Sequence, residues 1–567
     1  MATYSKDHLA ALLSKLGTKN VDNPFKQETP KPEKSLASVT PIPENSIQVL
    51  DKYGNTITLN EKQSTAVSYA AAGKSFVLIG AAGTGKTTCQ GASVQAIIQN
   101  GHARILTDVF GHKHLKKGAP GIAIVAFTRR AVNNIKKALP EHLKDCCMTI
   151  HKLLQYSPVK EDYETADGET KTKMTFQPTY TADNPLPPSL QWIIYEESSM
   201  VGTDLYKRVQ EAMPHIHREI FLGDLQQLPP VFGPAVLGFK LLDLPCVELT
   251  EVYRQALESP ILSLAWKVLR GEDMPHSEFD NLSVAGKLKL HAWKKKLSAE
   301  DAVTQIALFF KKAYQAGTYI PSRDMILMAQ NVKFGTLELN KFIATYIAKD
   351  TESEVFEVVS GRFKQYFRVG EIIMVDKEDA EIVDIQPNPK YFGKPAQPSS
   401  KQLNYWGQLA EDHVETSLTQ EADFELSADD IDSLLAKVEA MGGDSEERVN
   451  QASHVIRVRY PDRDYEEDIS DSGSINAILL GYALTVHKAQ GSEWENVFFV
   501  SHGSNGRMLQ RELLYTAVTR AKDSLYVVCE PDMLQKAVKS QIIKGNTLAE
   551  KAEFFKGKKD KIAEMNN

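Results

Sequence analysis

The sequence predicts an α/β protein with two parallel-sheet units, interrupted by a small β-hairpin insertion and by a β-rich insertion. Three observations carry this expectation. From about 45 to 250, short β-branched apolar runs (SFVLIG, GIAIVAFT, QWIIYEES, REIFLGD) alternate with helical patterns, the rhythm of buried strands joined by crossover helices. A second set of such runs (DMILMAQ, ENVFFVSHG, SLYVVCE) follows far downstream. Two stretches break the rhythm. One is polar, at about 155–190, with an Asp167-Gly168 hairpin-turn signal; the other is β-compatible, at about 345–475.

Size and composition narrow the class. A chain of 567 residues has room for two to four cores. A net charge of −7 argues against a protein that coats nucleic acid non-specifically, yet leaves room for a narrow basic groove. No run approaches about 20 apolar residues, and the first thirty lack the apolar core of a secretory leader. Five cysteines (Cys89, Cys146, Cys147, Cys246, Cys529) show no metal-binding spacing. The expectation is a cytoplasmic protein without membrane span, disulfide framework or zinc site.

Residues 1–44 read as a tail. SKDHLAALLSKLG sets Leu9, Leu12, Leu13 and Leu16 on one helical face, ahead of a Pro/Lys/Glu/Ser-rich linker. It is either a frayed terminus or a tethered helix that docks on a protein partner. Next, LNEKQSTAV puts Gln63 shortly before a strand, where an amide can read both edges of adenine. GAAGTGKT at 80–87 follows that strand and precedes a helix, the context a phosphate loop requires. Gly80, Gly83 and Gly85 let the backbone wrap around phosphate, with Thr84 and Thr88 beside them. Lys86 supplies a point charge for the β- and γ-phosphates, and the Thr87 hydroxyl a ligand for Mg²⁺. A loop with Lys113, Lys116 and Lys117 beside His112 and His114 is basic enough to meet phosphate, or is simply solvated.

IIYEESSM ends a strand in two carboxylates. Glu196 suits Mg²⁺ and Glu197 the orientation or deprotonation of an attacking water. FLGDLQQLPPV ends the next strand with Gly223, Asp224 and Gln227, the last placed to sense a γ-phosphate. Within the β-rich stretch, an acidic run near 411–447 contains a helical pattern (Ile431, Leu434, Leu435, Val438) capped by Ser427 and stopped by Gly442. It reads as a solvated surface.

With AFTRRAVNNI, TIHKLL, LTEVYRQ, LTVHKAQGSEWENV and YTAVTRA added in order, the chain resembles superfamily 1 DNA helicases of the RecD/Dda-like, 5′-to-3′ branch. The resemblance covers most of 55–342 and 475–530 and implies two RecA-like domains. These are 45–250, with the hairpin at about 155–190, and 251–344 joined with 476–567; an SH3-like insertion fills 345–475. It implies ATP and Mg²⁺, arginine fingers at Arg254 and Arg520, and a nucleotide role for Glu493. It implies contacts of Thr128, Arg129, Thr149, His151, Thr485, His487 and Lys488 with single-stranded DNA, with Gln490 and Gly491 in the same coupling motif. The hairpin then becomes a wedge at duplex junctions, with Tyr163, Phe176 or Tyr180 stacking on the first broken pair. A monomer in a bacterial or phage-infected cell is expected.

One departure stands out: the family has Asp where this chain has Glu196, a carboxylate one methylene longer. The alternatives are an RNA-directed helicase of the same superfamily, a non-motor ATP switch, or a subunit of a recombination complex.

Overall fold

Six parallel strands build the first sheet because their apolar runs are buried on both faces. They are β1 (Phe76–Gly80), β2 (Ile122–Ala126), β3 (Cys147–Thr149), β6 (Trp192–Tyr195), β7 (Arg218–Gly223) and β8 (Cys246–Leu249), in the order β3-β2-β6-β7-β1-β8. The computed structural model describes residues 55–164, 170–213, 215, 217–230, 233–252, 259–273, 287–293, 296–321, 323–331, 334–346, 354–360, 363–375, 378–392, 451–460, 466–530 and 532–565. Period-two alternation splits β1 between two cores. Phe76 and Leu78 join the core beneath the helices Glu61–Ala71, Lys86–Gln99 and Arg129–Ala138. Val77 and Ile79 join the one that includes Thr203–Ala212 and Val236–Asp243. Because all pairings are parallel, the strand ends that carry Gly80, Tyr195 and Gly223 emerge on one edge, where open α/β sheets bind ligands.

The second sheet has five parallel strands: β9 (Leu288–Ala292), β10 (Asp324–Met328), β18 (Ala483–Thr485), β19 (Trp494–Ser501) and β20 (Ala521–Cys529), in the order β18-β10-β19-β20-β9. Again β10 divides, Met325 and Leu327 against one core, Ile326 and Met328 against the other. Both predicted α/β units are thus present.

β4 (Tyr156–Glu164) and β5 (Thr170–Pro178) form the expected hairpin, in register from Tyr156↔Pro178 to Glu164↔Thr170. Its Asp167-Gly168 tip lies outside the described residues. The β-rich insertion is a seven-stranded antiparallel sheet: β11 (Val355–Ser360), β12 (Phe363–Arg368), β13 (Ile372–Val375), β14 (Glu378–Pro387), β15 (Gln451–Arg459), β16 (Glu466–Asp471) and β17 (Leu479–Leu480). Val358, Ile373, Ile382 and Ile456 lie in its core. The Leu9–Leu16 helix and the 411–447 acidic segment lie outside the described residues.

One boundary differs from the expectation. The resemblance places 476–567 whole in the second domain, but its last helix, Leu548–Met565, packs on the first. Leu548, Ala552 and Phe555 enter the core that holds Leu237 and Leu241. Apolar spacing marks which helix face is buried, not which sheet it seeks.

At the start of β7, Glu219 is buried and accepts hydrogen bonds from Tyr206 Oη (2.9 Å), Gln210 Nε2 (2.8 Å) and Lys240 Nζ (3.4 Å). Burial pushes its carboxyl up, but Lys240, His217 and Tyr206 outweigh it and hold the pKa at about 2, below the ordinary 4.5. A depressed carboxyl contributes stability that is present above the unfolded value and is lost as pH falls from 4.5 towards 2. Glu219→Gln leaves the Lys240 ammonium uncompensated, so urea unfolding at neutral pH should report a loss of about 3–5 kcal/mol. The variant should also lack the acid sensitivity contributed by this group.

Candidate nucleotide site and the adjoining basic groove

β1 delivers the chain at Gly80 into the loop that opens the 14-residue helix Lys86–Gln99. Gly85, its N-cap, has φ 81° and ψ 28°, left-handed values that glycine adopts without strain. At Gly80 a Cβ would sit 2.4 Å from Thr84 Oγ1, so the close wrap also needs glycine there. The helix start collects unpaired N–H groups, a ready anion site. Lys86 Nζ lies over the same loop, donating to Gly80 O (2.7 Å) and Ala81 O (3.1 Å). Thr87 is exposed and Thr88 half-buried at this mouth.

Gln63 is fully buried beside the loop, with Nε2 3.5 Å from Thr84 O. Its Oε1 accepts the Asn60 N–H while Asn60 Oδ1 accepts the Gln63 N–H, a reciprocal capping box. The amide expected as a base reader thus has both ends engaged within the chain. The Asn60-x-x-Gln63 spacing carried that signal.

Glu196 and Glu197 follow β6, and Gln227 follows β7. Among the described residues, Glu196 Oε2, Glu197 Oε2 and Gln227 Oε1 are buried without a hydrogen-bond partner. Three such acceptors at one strand edge need an explanation, because buried polar atoms are ordinarily paired. Burial, then the neighbouring Glu197, raise the Glu196 pKa to about 8 against the pull of Lys86. A divalent cation fits this donor set, since it would satisfy the orphaned Glu196 oxygen and hold the carboxylate ionised. Thr87 and Glu196 are the residues that would hold such a cation. Glu197 itself sits at φ 48°, ψ 43°, left-handed values unusual for a residue with a side chain.

The second domain closes this edge. From the helix Arg511–Val518, Tyr515 Oη accepts the Ala82 N–H of the phosphate loop (2.8 Å) and donates to Asp224 Oδ2 (2.7 Å). Thr516 Oγ1 accepts the Leu228 N–H (3.0 Å), and Gln490 Nε2 donates to Leu228 O (2.6 Å). Arg130 Nη1 donates to Ser492 Oγ and Asn134 Nδ2 to Gly491 O. A side chain at Gly491, φ 75°, would meet Thr128 Oγ1 at 2.8 Å. Arg520 is 5% exposed and donates to Thr516 O, Ser492 O and Thr519 Oγ1, each at 3.1 Å. Arg254 lies outside the described residues. Glu493 is exposed and pairs with Lys522 at 3.5 Å. Tyr515 and Thr516 are contacts that sequence reasoning misses, because a hydroxyl's partner across two domains leaves no local pattern.

Of the residues expected to meet a strand, Thr128, Arg129, Thr149 and His151 sit at the starts of two helices that follow β2 and β3. Thr128 and Thr149 are helix N-caps, accepting the Ala131 and Lys152 N–H groups. His151 stands between the rings of Phe127 (5.7 Å) and Tyr156 (5.0 Å). A cleft of about 610 Å³ brings Arg129 and Thr149 together with Lys113, His114, Lys116, Lys136 and Lys152, with Asp145 and Glu467 as its acids. Burial, Lys152 and Lys113 together hold the His114 pKa below its ordinary value. Thr485 Oγ1 accepts the Lys488 N–H (3.4 Å), and burial lowers the His487 pKa.

Of the three hairpin aromatics, Tyr163 pairs in register with Lys171 and Phe176 with Pro158. Tyr180 requires a correction. It is 3% exposed at the hairpin base, 4.9 Å from the His112 ring, with its hydroxyl on Phe110 O, and so has no face for a base.

Two parallel-sheet domains that meet at the glycine-rich loop after β1 define a tandem RecA-like fold. The AAA domain model matches residues 63–233, and the UvrD-like helicase C-terminal domain model matches 480–528. The ATP-dependent RecD2 DNA helicase of Deinococcus radiodurans is 25% identical over 472 residues, 82% of this chain and 48% of that protein. The RecBCD enzyme subunit RecD of Mycolicibacterium smegmatis is 35% identical over 77 residues, 14% of each chain. The chain spans about half the length of the first of these relatives. The crystal structure of the Pif1 helicase from Candida albicans aligns with 88% of this chain and 100% of that one, at 14% identity and a TM-score of 0.43. These matches make the chain similar to RecD-like helicases of superfamily 1 across most of its length. Among the described residues no helix is long and apolar enough to cross a membrane.

Proposed function

We propose that the chain is an ATP-dependent DNA helicase that moves 5′ to 3′ along a single strand and opens duplex DNA ahead of it. The observation that carries this reading is the Tyr515 hydroxyl, bonded at once to the phosphate loop and to Asp224 from the other domain. Any change at the phosphates is thereby felt by the domain that also supplies Thr485 and Lys488. In this reading Lys86 and the loop N–H groups hold the triphosphate, Glu197 orients and deprotonates the attacking water, and Gln227 senses the γ-phosphate. Arg520 and Arg254 stabilise the charge that spreads onto it. Mg²⁺ on Thr87 and Glu196 would neutralise part of the phosphate charge when bound.

The strand runs through the basic cleft, with Arg129 and Thr149 on its backbone and the Lys113–Lys116 loop beside them. The antiparallel insertion, read as SH3-like, supports it from the Glu467 side, and the β4–β5 hairpin is the wedge. The RecD2 relative, named as an ATP-dependent DNA helicase, supports this assignment.

The test measures ATP hydrolysis with matched DNA and RNA oligonucleotides, then unwinding of forks carrying only a 5′ or only a 3′ arm. Stimulation by DNA strands and unwinding from the 5′ arm are expected; no stimulation by any strand would reject a motor. Lys113→Ala with Lys136→Ala should weaken strand binding alike for all sequences. Each lysine that neutralises a phosphate should, once removed, reduce the salt slope by about 0.7. An unchanged slope would remove the cleft from the strand path.

A further inference from the structure

The last helix of the chain is placed where the family motifs do not explain it. After β20, the helix Met533–Lys539 stays in the second domain's core, and the chain then crosses to the first. The crossing is rooted on the helix that carries Tyr515. Glu512 accepts the N–H groups of Ile542 (3.1 Å) and Ile543 (3.0 Å), while Arg511 donates to Val538 O (2.8 Å) and Asn546 Oδ1 (2.8 Å). On the far side Phe555 lies so close to Gly238 that a Cβ there would be 2.2 Å from its ring. Lys559 pairs with Asp243 at 3.3 Å.

Between these anchors the side chain of Lys551, 2% exposed, reaches the loop between Asp224 and Gln227. Its Nζ donates to Leu225 O (3.0 Å) and to Gln226 Oε1 (2.7 Å). A buried ammonium is costly to keep, so two bonds to one loop fix that loop's position strongly. The loop is the segment whose first residue accepts from Tyr515 and whose last, Gln227, has a buried amide oxygen without a partner among the described residues.

We propose that the helix Leu548–Met565 is a strap joining the two domains and that Lys551 is its positioning residue, setting the Asp224–Gln227 loop for ATP hydrolysis. The proposal rests on the ATPase reading above and adds a residue to it. Lys551 touches neither phosphate loop nor carboxylate pair; it acts through the loop it holds. Because the strap root and Tyr515 share one helix, movement at the second domain reaches the loop by two routes.

The experiment compares Lys551→Met, Lys551→Arg and Lys559→Ala in the full chain, measuring kcat and KM for ATP with single-stranded DNA present, and the melting temperature. Lys551→Met should lower kcat about tenfold with KM for ATP little changed, since a misplaced sensing group costs rate rather than binding. Lys551→Arg should recover most of it, and Lys559→Ala should keep the wild-type kcat. A folded Lys551→Met with wild-type kcat overturns the proposal. So does a kcat loss in Lys559→Ala that tracks the melting temperature as it does in Lys551→Met. Should Lys551→Met fail to fold, Gln226→Ala removes one acceptor from the loop side, and wild-type kcat there would overturn it equally. A wild-type chain that hydrolyses no ATP, with or without DNA, would instead reject the function beneath it.

Discussion

Glu197→Gln is expected to bind ATP as the wild type does and to hydrolyse it about 10²–10⁴ times more slowly, the range by which a general base accelerates such reactions. The backbone supplies the first reason. Residue 197 is held at φ 48° at the end of β6, between Glu196 and a short turn through Ser198–Met200. A left-handed glutamate costs energy that a surface acid would relieve by relaxing, so its persistence points to a site that fixes it. The side chain is not fully sealed, yet its Oε2 is buried with no partner among the described residues. Glutamine keeps that volume and one acceptor but cannot take a proton. Nucleotide affinity, measured with a fluorescent analogue, should stay within a few-fold, because the phosphate loop and Lys86 are untouched. Turnover at the wild-type rate would mean that another group activates the water.

What the sequence disclosed and what it hid divide along a physical line. The phosphate loop, the paired carboxylates and both parallel sheets are legible because each is a local pattern: glycines, a lysine and apolar runs at fixed spacing. β1 shows this, with all five residues buried and the loop beginning at its last. The two N-caps, Thr128 and Thr149, are expected by resemblance as strand contacts, while their capping role is a nearest-neighbour matter. The Lys113–Lys116 loop is visible as charge, but its meeting with Arg129 and Lys152 in one cleft is tertiary. Tyr180 misleads because an aromatic after a hairpin strand looks the same in sequence whether it caps the tip or plugs the base. Tyr515 and Lys551 escape for one reason: each acts through a partner about 290 to 330 positions earlier in the chain, and no spacing rule spans that gap.

Arg520→Lys should lose about 10³–10⁵ in hydrolysis rate, the magnitude associated with arginine fingers, while retaining nucleotide binding. Its surroundings give the reason. The guanidinium is buried just past the end of the helix that carries Tyr515, and its bonds go to two carbonyls and a hydroxyl. Among the described residues it has no carboxylate within ion-pair distance, so a full positive charge is kept out of water without an anion of its own. Such a charge is tolerable when a ligand supplies the counter-ion for part of a cycle. The Tyr515 bond to Ala82 fixes how close the same helix already lies to the phosphate loop. Lysine preserves the charge and most of the stem but cannot present two parallel N–H groups to one phosphate, so it separates fork geometry from simple electrostatics. If Arg520→Ala and Arg520→Lys both hydrolyse within tenfold of the wild type, the finger role passes to Arg254. The Arg520 bonds would then be read as a clasp between Ser492 and Thr516 within the second domain.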